Sequence, residues 1–258
     1  MTFDRTRWTV PFTKDRVPSW PCPRCEEGTL VPVKESFTEK LTAESRQAYA
    51  HQAWEPEWDR GRFAGRLVCT RTECTEPVVV CGDTRGVVDD VDPETGGPTY
   101  TTAFHPVFFH PALPLFRVPP KCTEEIRAEL KRAWALYWSD SASCANRVRT
   151  CVELVLTHLR IPRSTRSQKN RKIRLKLHDR IELFKQRNAE LAQALMAVKW
   201  IGNIGSHEGG AGGVGREDIL NGLELLEHVL VEVFEQRSKR LARMGKQIVK
   251  RKGRPKRS

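Results

Sequence analysis

No stretch of this chain is apolar for long enough to cross a bilayer, and its opening residues (MTFDRTRWTVPF) have none of the apolar run of a secretion signal. A soluble, cytoplasmic protein with no membrane partner is therefore expected. No internal repeat is present. The glycines at 209, 210, 212, 213 and 215 are not followed by Gly-Lys-Ser/Thr, so they are not a phosphate-cradling loop. Eight cysteines in a chain with no sign of secretion fit reduced thiols and a metal better than disulfides. With 258 residues, 39% apolar and 29% charged, there is enough material for one medium core and a small metal-supported module.

Acidic residues are missing altogether from residues 237–258, which hold eleven Lys or Arg. Residues 160–187 hold eleven more against only Asp179 and Glu182. The whole chain carries +12, so these two segments sit on a mildly acidic remainder of −8. Such concentration is the electrostatic footprint of a polyanion partner, the alternative being a solvated face or a frayed tail.

Four of the cysteines come in two pairs, Cys22-Pro-Arg-Cys25 and Cys69-Thr-Arg-Thr-Glu-Cys74. Two such knuckles can wrap one tetrahedral cation at about 2.3 Å per sulfur and leave no position for water. The spacing predicts a structural Zn2+ on Cys22, Cys25, Cys69 and Cys74, with Cys69 and Cys74 as ordinary buried thiols the competing reading. A redox use of Cys22 and Cys25 would want a βαβ surround, and none is found. Cys144 and Cys151, seven apart, read as small core residues.

Up to about Pro120 the chain reads as short β runs broken by turn residues: Leu67-Val68, Val78 to Val80, Gly86 to Val88, and Phe104 to Phe109 after Gly96-Gly97-Pro98. This predicts a zinc-ribbon-like β domain with hairpin elaborations over 1–118, in which the stretch 36–60, with Trp54 and Trp58, lends aromatic cover to the small core. After Pro119-Pro120 the period turns helical. Thr123 can cap a first helix with the stripe Ile126, Leu130, Trp134 and Tyr137. Ser141 or Ser143 can cap a second, with Cys144, Val148, Cys151, Val152, Val155 and Leu159 on one face, stopped at Ile161-Pro162. A basic linker leads to a weaker third helix, because Ile173, Leu175 and Leu177 alternate before Leu177, Ile181 and Phe184 take helical spacing. A fourth carries Leu191, Leu195, Val198 and Ile201, and a fifth Ile219, Leu223, Leu226, Leu230 and Phe234. The expectation is an α+β chain: the β module, a four- to five-helix bundle over 119–236, and a disordered basic tail over 237–258.

The joint Lys199-Trp200-Ile201-Gly202-Asn203-Ile204-Gly205-Ser206-His207 is the most plausible seat of function. Lys199, Asn203 and His207 are four apart in turn, so a helix would stack them on one face, and Gly202 and Gly205 let a backbone or ligand come close. Arg147, Arg149 and Glu153 on the second helix are candidate neighbours. The structural alternative has Asn203 and His207 capping the helix end and Arg149 paired with Glu153.

Several separated strings carry a family likeness: CPRC, WEPEWDRGRFAGRLVC leading to TECTEPVVVCG, HPVFFHPALPLFRVPP, CANRVRTCVELVL and VKWIGNIGSHE. On these the chain resembles, over most of residues 18–235, the prokaryotic domain of unknown function "four-one-four-five", generally grouped with the HEPN helical domains. The resemblance implies a zinc-binding N-terminal part, a HEPN-like bundle, and company with restriction and anti-phage genes, without an agreed activity. HEPN ribonucleases cut RNA without metal, usually as dimers, using an Arg and a His with four to six residues between them. Here the positions that would hold that Arg before His207 are Gly202, Ile201 and Trp200, and Lys199 is one residue too far. Arg171 to His178 and Arg46 to His51 have the spacing, as chance allows in an Arg-rich chain. Catalysis would need Arg147 or Arg149 to stabilise phosphorane charge, with His207 as general acid or base.

Lys252-Gly253-Arg254-Pro255-Lys256 resembles the AT-hook, with Lys in place of the first Arg of its Arg-Gly-Arg-Pro core. Either as a minor-groove reader or as a plain polycation, Lys250, Arg251, Lys252, Arg254, Lys256 and Arg257 are candidate nucleic-acid contacts. The expected function is a nucleic-acid-binding (DNA or RNA) or scaffold component of a prokaryotic anti-phage defence or nucleic-acid-processing system. A defence-system partner protein and a homodimer through the bundle are candidate assemblies. The alternatives are a HEPN-type metal-independent ribonuclease using Arg147 or Arg149 with His207, and a protein-protein or nucleotide-sensing module with Glu153, Lys199 and Asn203 as ligand contacts.

Overall fold

The computed structural model describes residues 3–167, 169–204 and 213–252. Backbone contacts divide the chain into two units, residues 1–117 with 134–141 and residues 118–133 with 142–258. The architecture is α+β, with the strands of the main sheet in the N-terminal part and helices after it.

In the first unit a short helix, α1 (Thr6–Thr9), precedes β1 (Leu30–Pro32), β2 (Thr38–Leu41), α2 (Ala43–Ala48), β3 (Arg60–Cys69), β4 (Pro77–Val91) and β5 (Pro98–His110). The strands form one antiparallel sheet in the order β1-β3-β4-β5. The edge of β3 is shared: β1 covers Leu67–Cys69 and β2 covers Gly61–Ala64. β3 alternates strictly along most of its length, with Arg60, Arg62, Ala64 and Arg66 exposed and Phe63, Leu67 and Cys69 buried, the period of a strand with one wet face. Its inner face meets an aromatic cluster. The rings of Phe12, Phe37, Phe63 and Phe104 lie with centroids 4.7 to 6.3 Å apart. Trp20 extends the cluster to Phe109 at 5.0 Å and Trp138 at 6.2 Å. Edge-to-face pairs of this kind each add about 0.5–1.5 kcal/mol beyond the area they bury.

The aromatic cover expected from residues 36–60 comes from a different residue. Phe37 enters the core, whereas Trp58 stays exposed and Trp54 meets Tyr49 at a tilt, with ring centroids 4.6 Å apart, outside it. Phe37 directly precedes β2, whose pairing with β3 fixes the ring over the inner face; the two tryptophans follow α2, where the chain has left the sheet.

The second unit is built on α3 (Glu124–Leu136), whose first ten residues belong to it, α4 (Ser141–His158), α5 (Leu177–Lys185), α6 (Ala189–Ile204), α7 (Arg216–Phe234) and α8 (Arg237–Lys250). The sequence stripes are the buried ones. Ile126 and Leu130 of α3, Cys144, Val148, Cys151, Val152 and Val155 of α4, Leu191, Leu195 and Val198 of α6, and the five expected residues of α7 all lie inside. Burial of Cys151 pushes its thiol well above the ordinary range, in keeping with an inert core residue. Helix α7 starts with acidic Glu217 and Asp218 in its first turn, and the Gly215 N–H donates to Asp218 Oδ2 at 3.0 Å.

Two expectations are corrected. The alternation of Ile173, Leu175 and Leu177 belongs partly to a strand: β6 (Ser164–Arg166) and β7 (Lys172–Arg174) pair as an antiparallel hairpin inside the basic segment, and α5 begins only at Leu177. The basic tail is not structureless over its first part, since Arg237–Lys250 is α8. Its residues are mostly good helix formers, and Leu241, Met244 and Ile248 fall on one face opposite Lys239, Arg243, Lys246 and Lys250. A count of charges ignores that spacing.

Candidate metal centre and cationic cleft

The two cysteine knuckles meet. The first lies just before β1, and the second joins the end of β3 to the start of β4, so pairing of β1 with β3 carries one knuckle to the other. The sulfurs of Cys22, Cys25, Cys69 and Cys74 all lie within 4.8 Å of one another. Cys22 Sγ is 3.7 Å from Cys74 Sγ, and Cys25 Sγ is 3.7 Å from Cys69 Sγ. A disulfide would need about 2 Å, and all eight cysteines are free. A tetrahedron with metal–sulfur bonds of about 2.3 Å has edges of about 3.8 Å, so the set has the dimensions of a closed tetrathiolate cage.

The backbone is arranged for the same purpose. The N–H groups of Arg24, Gly28 and Arg71 point to the sulfurs of Cys22, Cys25 and Cys69 at 3.4, 3.4 and 3.5 Å. Glu26 and Thr75, each directly after the second cysteine of its knuckle, take the left-handed conformation at φ 56° and 46°. Gly28 is required by space, since a Cβ there would lie 2.5 Å from Cys69 Sγ. Without a cation the thiols differ: burial pushes Cys22 up to about 12, while the Gly28 N–H foremost brings Cys25 down to about 7. A divalent ion at the centre would ionise all four. The residues fit a structural metal, and the donor set is the one zinc takes in closed sites.

A second site lies within the helical unit. A cleft of about 590 Å³ is lined by Arg149 and Glu153 of α4, Arg163 before β6, Arg174 at the end of β7, Lys176, His178 and Arg180 at the start of α5, and Lys199 and Asn203 of α6. Six cations face one carboxylate. Gly202 makes the α4–α6 approach possible, because a Cβ there would lie 2.5 Å from Arg149 Cβ and 3.0 Å from the Ala145 carbonyl oxygen. The Arg149 stem therefore lies across Gly202, and its Nη1 is 3.6 Å from Glu153 Oε1.

Arg180 is the unusual member. Only 5% exposed, it donates from Nη1 to the Glu153 carbonyl oxygen at 3.3 Å and from Nη2 to Thr157 Oγ1 at 3.0 Å and the Ile161 carbonyl oxygen at 3.2 Å. Arg163 converges on the same hydroxyl from Nε at 3.2 Å and Nη2 at 3.1 Å. Among the described residues no carboxylate forms an ion pair with Arg180, and burial foremost, then the Arg163 charge, lowers its affinity for its proton against a smaller opposing pull from Glu153. The Nε groups of Arg149 and Arg180 are buried without a hydrogen-bond partner. Lys199, 7% exposed, holds its ammonium 3.6 Å from the centre of the Trp200 ring.

Of the residues singled out in the sequence, Arg149, Glu153, Lys199 and Asn203 come together here. Arg147 does not: it points to α3, where its Nη1 meets Glu129 Oε1 at 3.1 Å. His207, Arg254, Lys256 and Arg257 lie outside the described residues. Lys250 ends α8, with Arg251 and Lys252 just beyond it. Sequence reasoning did not single out Arg163, Arg174, Lys176 or Arg180, which were absorbed into a charge count, and met His178 only as a chance spacing match with Arg171. A signal was available for Arg180, which falls on the stripe Leu177, Ile181, Phe184 that the helix buries. A cation on an apolar stripe has a reason to be there.

Two family models match, each over one part of the chain. Residues 10–109 match the one described as "Domain of unknown function (DUF8608)". Residues 131–251 match the one described as "Domain of unknown function (DUF4145)". The likeness drawn from the sequence strings thus narrows to the helical part, and the cysteine-bearing part is similar to a separate family. No curated protein and no solved structure matches the chain. Among the described residues no helix is long and apolar enough to cross a membrane.

Proposed function

We propose that this chain binds nucleic acid through its helical unit, as a component of a prokaryotic anti-phage defence or nucleic-acid-processing system, while Zn2+ on Cys22, Cys25, Cys69 and Cys74 holds a ribbon-like N-terminal module together. The observation that carries the reading is the cleft, where six cations line one cavity against a single carboxylate. Beside it the β6–β7 hairpin adds exposed Arg166, Lys169, Arg171 and Lys172, and elsewhere in the chain α8 has a cationic face without an acid. Phosphate backbones are the common polyanions that reward such a surface, through charge-assisted hydrogen bonds and counterion release. The HEPN-like ribonuclease alternative has less support, since Arg147, one of the two candidate partners of His207, is turned away to Glu129.

The reading is tested by titrating a labelled oligonucleotide duplex and single strand, DNA and RNA, against the full chain at several salt concentrations. Removal of residues 237–258 should weaken binding and flatten the salt slope, by about 0.9 per lost duplex phosphate contact. An unchanged slope, or no binding at low salt, would count against it.

A further inference from the structure

The cleft has features that a surface merely tracking a backbone does not need. Two guanidinium groups, Arg163 and Arg180, are drawn onto the single Thr157 hydroxyl oxygen, which itself donates to the Glu153 carbonyl oxygen at 2.8 Å. One of them is buried and, among the described residues, has no carboxylate in ion-pair contact. Bringing like charges together away from water is costly, and carbonyl oxygens and a hydroxyl compensate only in part. The Nε donors of Arg149 and Arg180 remain unused. Lys199 is nearly buried, with its ammonium over the Trp200 ring face. A set of donors of this kind suits a compact, multiply charged oxyanion. Guanidinium groups match phosphate oxygens in a two-pronged geometry, and a phosphate monoester carries close to two charges where a diester carries one.

Size separates the candidates. At about 590 Å³ the cavity holds a nucleotide or two and is far too small for a duplex. We propose, resting on the nucleic-acid reading above, that this cleft is a site for a phosphate monoester, and that its occupant is the terminal phosphate of a nucleic-acid strand. Arg180, Arg149 and Lys199 form the inner contacts. Arg163 and Arg174 close over the phosphate from the hairpin side, and Glu153, the one carboxylate, disfavours a second phosphate and leaves an acceptor for a sugar hydroxyl.

The test compares three short single strands of one sequence, carrying a 5′-phosphate, a 3′-phosphate or hydroxyls at both ends, with nucleoside monophosphate and inorganic phosphate as competitors. The full chain should bind one phosphorylated strand at least tenfold more tightly than the strand with hydroxyl ends. Arg163→Gln with Arg174→Gln, both outside the packed core, should reduce that ratio severalfold, with an unchanged circular-dichroism spectrum showing that the fold persists; Lys199→Gln serves as an inner-contact variant. If all three strands bind equally, the terminal-phosphate site is wrong and the nucleic-acid reading stands. If strands fail to bind but nucleoside monophosphate does, and the double variant weakens it, the monoester site stands with a free nucleotide as its source and the nucleic-acid reading falls. If no probe binds, both fall.

Discussion

The two parts of the chain use charge in opposite ways. Residues 1–117 carry 14 Lys or Arg against 17 Asp or Glu, while residues 118–258 carry 30 against 15. In the sheet unit cations find acids close by: Lys14 meets Glu39 at 2.7 Å, Arg62 meets Asp83 at 3.2 Å, and Arg71 pairs with Glu27 and Glu73. These pairs are largely solvent-exposed and each adds little to stability. This unit is built around an aromatic core and carries the four clustered sulfurs. In the helical unit an aliphatic core carries the fold, and cations are spent on a cleft where one carboxylate answers six of them. The contrast teaches where each part meets the outside. The sheet part is slightly acidic and pairs its cations with nearby acids. The helical unit gathers six cations about one carboxylate in its cleft.

Taking away the metal tests that contrast most severely. A structural tetrathiolate zinc contributes on the order of 10 kcal/mol to the fold around it. Cys25→Ser or Cys74→Ser should abolish stoichiometric zinc, measured by elemental analysis of protein purified without chelator, and raise amide exchange across β1, β3 and β4. Helical circular dichroism should survive, because the helical unit buries its own core. Far less than one zinc per chain in the wild type would remove the metal from the account, and joint melting of sheet and helices would remove the independence of the two parts.

Gly202→Val asks how finely the cleft is built. The added side chain begins 2.5 Å from Arg149 Cβ, near the backbone and so unable to swing aside, and overpacking of this kind typically costs about 1–3 kcal/mol. It should also move Arg149 away from Glu153. The expected outcome is a thermal midpoint lowered by several degrees together with weaker oligonucleotide binding. Binding unchanged at normal stability would show that Arg149 is not one of the contacts.

The sequence revealed the helical stripes well because each apolar residue there reports on one face, as with Ile219, Leu223, Leu226, Leu230 and Phe234, all buried as their spacing implies. The cysteine pairs were equally legible, since a thiolate cage depends on local spacing and one strand pairing. What escaped was long-range or averaged away. Trp54 and Trp58 were given a covering role that Phe37 fills, because which aromatic enters a core depends on a strand register that composition does not contain. The β6–β7 hairpin has too few apolar residues to sound a period among its Lys and Arg, and the spacing of Leu241, Met244 and Ile248 in α8 was passed over in favour of its charge. The cleft was half visible. Lys199, Asn203, Arg149 and Glu153 follow from helical spacing, but Arg163 and Arg180 reach it through Thr157, a hydroxyl with no mark in the sequence.

Arg147→Ala is the mildest of these changes, and it separates two roles that the sequence left joined. Arg147 lies two residues from Arg149 on α4, yet two residues on a helix point about 200° apart, and the side chain turns to Glu129 instead of the cleft. Glu129 is 4% exposed and is also held by Arg132 at 2.9 Å, so removing Arg147 leaves it with one of its two cations. Arg147 is itself about half exposed, and water will take part of its place. The stability loss should therefore be only about 1 kcal/mol, read as a small drop in the denaturant midpoint. Oligonucleotide affinity should stay within about twofold of the wild type, well under the 1.4 kcal/mol that marks a tenfold change. A large loss of binding, or of any RNA cleavage, without loss of stability would put Arg147 back among the functional residues and return the ribonuclease reading to first place.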